Sequence, residues 1–217
     1  MENKIIQNIS HSLAVKLNHY NNKEGLEFTK MKYGMEVFLI NISKLIIMYL
    51  LAALLGVLPQ TLIIHGAYWA VKRYSFGLHA LNSTVCTVAS CILFVFCPWY
   101  LAGMGVGNVV VLAVFSFLIL SLYLYAPADT KAMPLIGQKL RARFKKKAVA
   151  IGVVLMVIAL VIPSESIKLL LTLGAVYQTV SILPLTYKIL KRSEKNHEKY
   201  EKPTPGQARR AEGEGAV

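Results

Sequence analysis

The sequence predicts an all-α, polytopic integral membrane protein with six transmembrane helices, or alternatively four, and an amphipathic N-terminal helix. Its 217 residues are 55% hydrophobic with a mean hydropathy of +0.51, well above that of soluble domains. Between residues 33 and 125 only Glu36, Lys44, Lys72 and Arg73 carry formal charge. Prolines and short polar breaks divide this apolar sequence into segments of helix length.

The N-terminal segment, residues 1–32, is more polar than the sequence that follows. Within 5–20 the apolar side chains recur every three to four residues, which predicts an amphipathic helix. This helix either lies on a membrane face or packs on other helices of the same protein. The segment lacks the apolar run of a cleavable signal peptide, so 37–58 is expected to act as an uncleaved insertion signal.

Six apolar segments follow within a predicted membrane domain at residues 33–190. The second is shorter than the roughly 20 residues of a full span, so it is tilted, extends through Tyr74, or is re-entrant, and a four-span arrangement stays open. The charged tail at 191–217 is expected to be disordered. The six segments are 35–57, 60–71, 82–98, 103–126, 147–163 and 166–188.

Basic residues predict the orientation of these segments. The stretch 127–147 carries seven lysines and arginines against one acid, and Lys188, Lys191 and Arg192 surround the exit of the last segment. Cytoplasmic loops of membrane proteins are enriched in such residues. Six spans then put both termini and the stretch 72–79 on the cytoplasmic side of the cell membrane.

Several function classes are disfavoured by composition. The net charge of +13 flanks apolar spans, where topology and anionic lipid account for it without nucleic acid. The three cysteines form neither a disulfide framework nor a zinc spacing, so we expect no metal and no cofactor. The sequence has no GxSxG or HExxH motif and no paired carboxylates within its spans, which disfavours serine and metal proteases.

The candidate chemical centre is the polar stretch Lys72–His79, followed seven residues later by Cys86. Polar and reactive residues are expensive within a membrane and are therefore candidates for function. A nucleophilic cysteine needs a base, and His79 and Cys86 supply the two residue types. In one continuous helix they would lie about 10 Å apart along the axis, too far for a hydrogen bond.

A catalytic pair therefore requires a break in the helix between these two residues. Gly77 permits a sharp turn, and Asn82, Ser83 and Thr84 are residues that favour a helix N-terminus. A helix starting at Asn82 or Ser83 would place Cys86 in its first turn. There the helix dipole and the free N–H groups favour a thiolate and can stabilise an oxyanion.

The competing interpretation is that Cys86 is a packed, unreactive side chain. A free cysteine in an apolar helix usually behaves as a small hydrophobe, and we assign that role to Cys91 and Cys97. On this interpretation the protein is a non-catalytic peptide exporter or membrane interaction protein.

The chain resembles the accessory gene regulator B family of Gram-positive quorum-sensing systems. The resemblance covers about residues 30–190 and lies in three motifs: the run Lys72–Ala80 with Cys86 beyond it, the run Tyr125–Lys131 leading into a basic stretch, and the pattern Gln178–Pro184. The first motif is fairly specific to the family, and the combination is highly specific.

This resemblance implies a membrane-embedded cysteine endopeptidase that acts as a homodimer. Its substrate would be a small precursor peptide with an amphipathic N-terminal helix, a central signal sequence and an acidic C-terminal tail. By motif match, Cys86 is the nucleophile and His79 the general base. The enzyme would hold the signal part as a thioester, which the peptide's own cysteine or serine displaces to close a thiolactone or lactone ring.

The remaining candidate site residues have supporting roles. Lys72, Arg73 and Lys131 are candidates for steering or holding the acidic tail, and the basic stretch 131–147 could attract it. Gly77 would provide the turn, and Asp129 should lie on the same side of the membrane. Membrane topology and lipid binding would account equally well for the positive charge of the basic stretch.

Overall fold

The protein is all-helical over the residues that its structure, a computed structural model, describes: 2–77, 83–129 and 135–190. This confirms the predicted all-α class. The helices are α1 Glu2–Asn21, α2 Gly25–Leu54, α3 Leu58–Ser75, α4 Ser83–Cys91, α5 Cys97–Tyr100, α6 Asn108–Tyr125, α7 Gln138–Val161, α8 Glu165–Ile182 and α9 Pro184–Ile189, with a π-helical turn at Ile92–Phe96 between α4 and α5.

The observed helix ends refine the predicted segments. The short second segment forms α3, which extends through Tyr74 to Ser75. The third segment does not end at Pro98, because α4, the π-helical turn and α5 run on to Tyr100. In the π-helical turn the N–H of Cys97 bonds to the carbonyl of Ile92, five residues back, and such turns accommodate irregularities within a helix.

Three of the described helices are long and apolar enough to cross a membrane: α2, the continuous helix Ser83–Tyr100, and α6. The apolar part of α7 begins only after Lys147, and α8 contains Lys168 and Gln178, so neither reaches the same length without polar residues. The count of six spans stays a prediction, as does the division at 32 and 190.

Contacts between helices divide the described chain into two compact units. The first contains the described parts of Met1–Leu58 and Ala80–Trp99. The second contains the described parts of Pro59–His79 and Tyr100–Val217. Each unit has its own packing.

In the first unit α1 folds back on α2 through a tight turn. The Asn18 side chain closes this turn, since its Oδ1 accepts from the Lys23 N–H at 2.8 Å and its Nδ2 donates to the Lys23 carbonyl at 2.9 Å. Ala14 is buried, whereas Ile9 and Leu17 on α1 are more than two-fifths exposed. The helix therefore packs on its neighbour with small residues and leaves an apolar stripe uncovered.

The second unit has a core built from α3, α6, α7 and α8. The centre of α6 supplies its largest side chain, Phe115, which is fully buried. Facing helices contribute mostly alanine, valine and leucine. The core residues are Ala67, Val71, Val111, Phe115, Leu118, Leu122, Ala126, Ala148, Leu155, Ala159, Leu171, Ala175 and Ile182.

Glycines allow the helices of this unit to approach closely, as is common where membrane helices pack. A Cβ added at Gly174 of α8 would overlap the main-chain carbonyl of Ile64 and lie 2.8 Å from the Cβ of Ala67. A Cβ at Gly152 of α7 would lie 3.1 Å from a Leu122 methyl group. The contact of α8 with α3 therefore depends on the missing side chain at Gly174.

A short turn joins α7 to α8, between the predicted segments 147–163 and 166–188. Ser164 caps α8, its Oγ accepting from the Ile167 N–H at 3.4 Å. One turn further on, the buried Lys168 donates to the Asn108 side chain of α6. The buried ammonium group thus has a partner that joins two helices.

We predict that Gly174→Ala lowers the melting temperature of the detergent-purified protein. The added methyl group would force α8 away from the Ile64 carbonyl, and overpacking of this kind costs about 1–3 kcal/mol. Thermal unfolding followed by fluorescence measures the change. The matched control is Gly66→Ala, because an added Cβ there meets nothing within 4 Å and alanine favours the helix. An equal loss in both variants would contradict the assignment.

Candidate active site

Cys86 lies where the sequence predicted it, in the first turn of a helix. It is the fourth residue of α4, which begins at Ser83, and its side chain is partly exposed. The Thr87 hydroxyl donates to the Ser83 carbonyl at 3.0 Å, reinforcing this turn. The first four N–H groups of a helix have no intrahelical acceptor. The partly exposed thiol therefore lies at the N-terminal end of α4, where main-chain N–H groups are not used within the helix.

The preceding helix ends before the candidate base, as a working pair requires. Helix α3 stops at Ser75, and the next two residues have positive φ, +57° at Phe76 and +106° at Gly77. The predicted turn at Gly77 is thus confirmed, and the described part of the second helix begins at Ser83, in agreement with a predicted start at Asn82 or Ser83. His79 and Asn82 themselves lie outside the described residues.

The chain at the end of α3 is held by a set of hydrogen bonds that we call the Gln178 network: Ser75, Phe76, Gly77, Ala128 and Gln178. The fully buried Gln178 of α8 donates through Nε2 to the Ser75 Oγ at 2.8 Å and to the Phe76 carbonyl. The Gly77 N–H donates to the Ala128 carbonyl at 3.0 Å, and the Ala128 N–H donates to the Ser75 carbonyl at 2.9 Å. Gln178 and Ala128, which lie far from α3 in sequence, therefore hold Ser75, Phe76 and Gly77, the residues that precede the candidate base His79.

Gly77 is a steric requirement of this arrangement. Its φ of +106° is one that side chains rarely adopt. A Cβ there would lie 2.7 Å from the Ser181 Oγ and 2.9 Å from the Ile182 Cγ2. Both the conformation and the close approach of α8 thus select glycine, which gives the predicted supporting residue a definite structural role.

The two cations of the same motif lie against aromatic rings of their own helix. The Lys72 Nζ bonds to the Tyr68 hydroxyl and lies 4.8 Å from the centre of that ring. The exposed Arg73 guanidinium lies 5.4 Å from the Trp69 ring. These contacts hold both charges at the end of α3.

Asp129 follows the Gln178 network directly along the chain. It is only 5% exposed, and its main-chain carbonyl accepts from the Tyr187 hydroxyl at 3.1 Å. Because Ala128 pairs with Gly77, the structure brings Asp129 and the end of α3 into one region of the second unit. Cys86 belongs to the first unit. Lys131 lies outside the described residues.

Sequence reasoning found the break but not the residue that stabilises it. The sequence motifs contain Gln178 only as the first residue of the pattern Gln178–Pro184 and Ser75 only as a member of the polar stretch Lys72–His79. The available signal was a polar side chain inside the apolar helix α8, because such groups are buried only when they are paired. Its partners lie 102 and 103 residues earlier, and no local pattern identifies them.

The described cysteines Cys86, Cys91 and Cys97 form no disulfide, and Cys91 is buried. In the described ranges no cluster of three histidine, cysteine or acidic side chains is arranged to hold a metal ion.

Comparison with known proteins identifies close relatives. Residues 3–182 match the family described as Accessory gene regulator B. An AgrB-like protein of Clostridium acetobutylicum is 41% identical over 201 residues, covering 93% of this chain and 96% of that protein. An AgrB-like protein of Listeria innocua is 44% identical over 80% of this chain and 85% of its own length. Accessory gene regulator protein B of Staphylococcus intermedius is 33% identical over 83% and 95%. No solved structure matches the chain.

We predict that Gln178→Leu loosens the end of α3 without unfolding the protein. Removing the amide leaves the Phe76 carbonyl without this donor, which costs about 1–3 kcal/mol for a buried group. Hydrogen exchange of the Gly77 and Ala128 amides measures local opening, and both should exchange roughly tenfold faster or more.

The control for this prediction is Gln138→Leu, the same replacement at an exposed glutamine of α7. It should leave the exchange of Gly77 and Ala128 unchanged. Unchanged exchange in Gln178→Leu as well would show that the network does not hold this segment.

Proposed function

Because the chain belongs to the accessory gene regulator B family, we propose that it is a membrane-embedded cysteine endopeptidase that matures a small signalling peptide for quorum sensing. Cys86 is the proposed nucleophile and His79 the proposed general base. The observation that carries this proposal is the break between α3 and α4, which gives Cys86 a first-turn position.

Three features support Cys86 as the reacting thiol. It is partly exposed, whereas Cys91 in the same helix is buried. Its position in the first turn of α4 supplies N–H groups and a dipole that favour negative charge. The same donors are suited to the oxyanion that forms when a thiolate attacks a carbonyl carbon.

The proposed reaction has two acyl transfers. His79 takes the thiol proton of Cys86, and the sulfur attacks the carbonyl carbon at the cleavage site of the precursor. The C–N bond breaks, the leaving amine takes the proton from His79, and a thioester to Cys86 remains. A cysteine of the peptide then attacks this thioester, which closes a thiolactone and releases the Cys86 thiol. A serine in its place would give a lactone.

The second transfer needs no external source of energy when the attacking group is a thiol. This step exchanges the thioester to Cys86 for the thioester of the ring. The two bonds are of the same type, so closing the ring requires no additional free energy from outside. Water competes with the peptide thiol for the same acyl group, and its exclusion from the site favours cyclisation over hydrolysis.

The Gln178 network has a positioning role in this proposal. It holds Ser75, Phe76 and Gly77, and His79 follows two residues after Gly77. A base must lie within hydrogen-bonding reach of the proton that it removes. Greater mobility of this segment would therefore lower the rate of proton transfer from Cys86.

The proposal includes the substrate and the topology. The substrate is a small amphipathic precursor with an acidic C-terminal tail, which the basic residues Lys72, Arg73 and Lys131 steer or hold. The active site opens to the cytoplasm and both termini are cytoplasmic, as the basic stretches indicate. The enzyme acts as a homodimer in the cell membrane.

We predict that Cys86→Ala and His79→Ala each abolish maturation of the precursor. Loss of the nucleophile removes the covalent path, and loss of the base lowers proton-transfer catalysis by about 10²–10⁴-fold. The assay is co-expression in membranes with the product of the short open reading frame beside the gene, followed by mass spectrometry. We expect that product to be an amphipathic peptide with an acidic tail.

The control for this assay is Cys97→Ala, which removes another thiol from the continuous helix Ser83–Tyr100. It should retain maturation. Wild-type maturation by Cys86→Ala would exclude the mechanism and favour the alternative, a non-catalytic peptide exporter or interaction protein.

A further inference from the structure

A cavity of about 660 Å³ lies in the second unit at one end of α6, where α7 begins and α8 passes into α9. This volume is within the range of sites that hold small molecules. The side chains that matter for its chemistry are Tyr125, Asp129, Arg141, Lys145 and Tyr187.

The cavity presents a pair of cations. Arg141 and Lys145 are four residues apart on α7 and therefore share one face of the helix. Both line the cavity and are half-buried, and the Lys145 Nζ lies 5.2 Å from the centre of the ring of Tyr123, the residue before the cavity-lining Leu124. Two positive charges are thus kept close together at a concave surface.

Arg141 has a buried donor without an acceptor. Among the described residues nothing accepts a hydrogen bond from its Nε, although this atom is shielded from solvent. A buried, unpaired guanidinium donor is costly, and structures normally satisfy such groups. Since this atom is closed even to a water molecule, an oxygen atom of a bound molecule would reach it only after the Arg141 side chain had shifted.

The local charge balance favours an anion. Asp129 is the one acid among the described residues that line the cavity, against the two cations. Its main-chain carbonyl is already engaged by the Tyr187 hydroxyl. One positive charge is left in excess, and phosphate oxygens match the planar donors of an arginine well.

The surroundings of the cavity indicate a lipid as the source of that anion. Leu124 and Tyr125 at the end of α6 are at least two-fifths exposed, and Leu185 and Ile189 on α9 are about two-thirds exposed. α6 is long and apolar enough to span a membrane, so its end lies at headgroup level when it does. A free phosphate ion would use the cations but not the apolar surface beside them.

We propose that this cavity binds the headgroup phosphate of an anionic membrane lipid, with Arg141 and Lys145 as the recognising cations and the exposed side chains of α6 and α9 against its acyl chains. Cavities with basic residues between transmembrane helices commonly hold such headgroups. The proposal stands on the cavity and does not depend on the catalytic role of Cys86.

The test uses the full-length protein purified in a neutral detergent, with native mass spectrometry to count bound lipid. Phosphatidylglycerol is the probe and phosphatidylcholine its zwitterionic counterpart. We expect the wild type to prefer phosphatidylglycerol and the double variant Arg141→Gln, Lys145→Gln to lose about tenfold in affinity for it. Phosphatidylcholine binding should not change.

The matched control is Arg143→Gln, Lys146→Gln, which removes the same charge from exposed positions of the same helix. It should retain phosphatidylglycerol binding. An equal loss in this control would overturn the proposal, since it would show a general surface attraction. If the cavity double variant does not fold, the single variant Lys145→Gln should lose affinity where Lys146→Gln does not.

Two competition arms separate the sources of the anion. Glycerol phosphate, which lacks acyl chains, should fail to displace the lipid at equal concentration, whereas equal displacement would mean a site for a soluble phosphate. A poly-glutamate peptide should also fail to displace it. If the peptide displaces the lipid from the wild type, and the peptide's own binding is lost in Arg141→Gln, Lys145→Gln, the lipid proposal is overturned in favour of an acidic peptide.

Discussion

The structure depends on how the chain satisfies its main-chain polar groups where α3 ends inside a largely apolar protein. At Phe76 and Gly77 the backbone leaves the helix with positive φ. The Phe76 N–H still donates to the Lys72 carbonyl, but the Phe76 carbonyl and the Gly77 N–H bond to partners outside the helix. In apolar surroundings each unpaired group would cost several kcal/mol. The Gln178 network supplies the partners, with the Gln178 amide on the Phe76 carbonyl and Ala128 paired with Ser75 and Gly77.

The hydrogen bonds of the Gln178 network offset the energetic cost of ending α3 at Ser75. Because α3 ends there, Cys86 lies in a separate helix, α4. Had the helix continued, seven residues would separate His79 and Cys86 by about 10 Å along one axis. A separate α4 instead starts at Ser83 and has Cys86 in its first turn. The end of α3 is thus a structural observation, and the role of Cys86 at the start of α4 is a proposal.

Local signals were sufficient to predict the class of fold, the turn at Gly77 and the helix start at Ser83. Each rests on residues close together in sequence: apolar runs, a glycine, and a run of polar N-terminal residues. The pairing of Gln178 with Ser75 and the cavity beside Arg141 could not be predicted, because each joins segments far apart in the chain. Pro98 was a misleading local signal, since a π-helical turn carries the helix past it. The placement of His79 and Lys131, which lie outside the described residues, and the roles of all the candidate site residues stay predictions.

On the proposed mechanism Cys86 is an activated thiol, whereas Cys91 and Cys97 are not. The most direct measurement is the rate of alkylation of each cysteine by iodoacetamide near neutral pH, followed by mass spectrometry of the full-length protein in membranes. We expect Cys86 to be alkylated fastest. His79→Ala should lower the alkylation rate of Cys86 and leave the rates of Cys91 and Cys97 unchanged. Similar rates at Cys86 and Cys97, unaffected by His79→Ala, would contradict it.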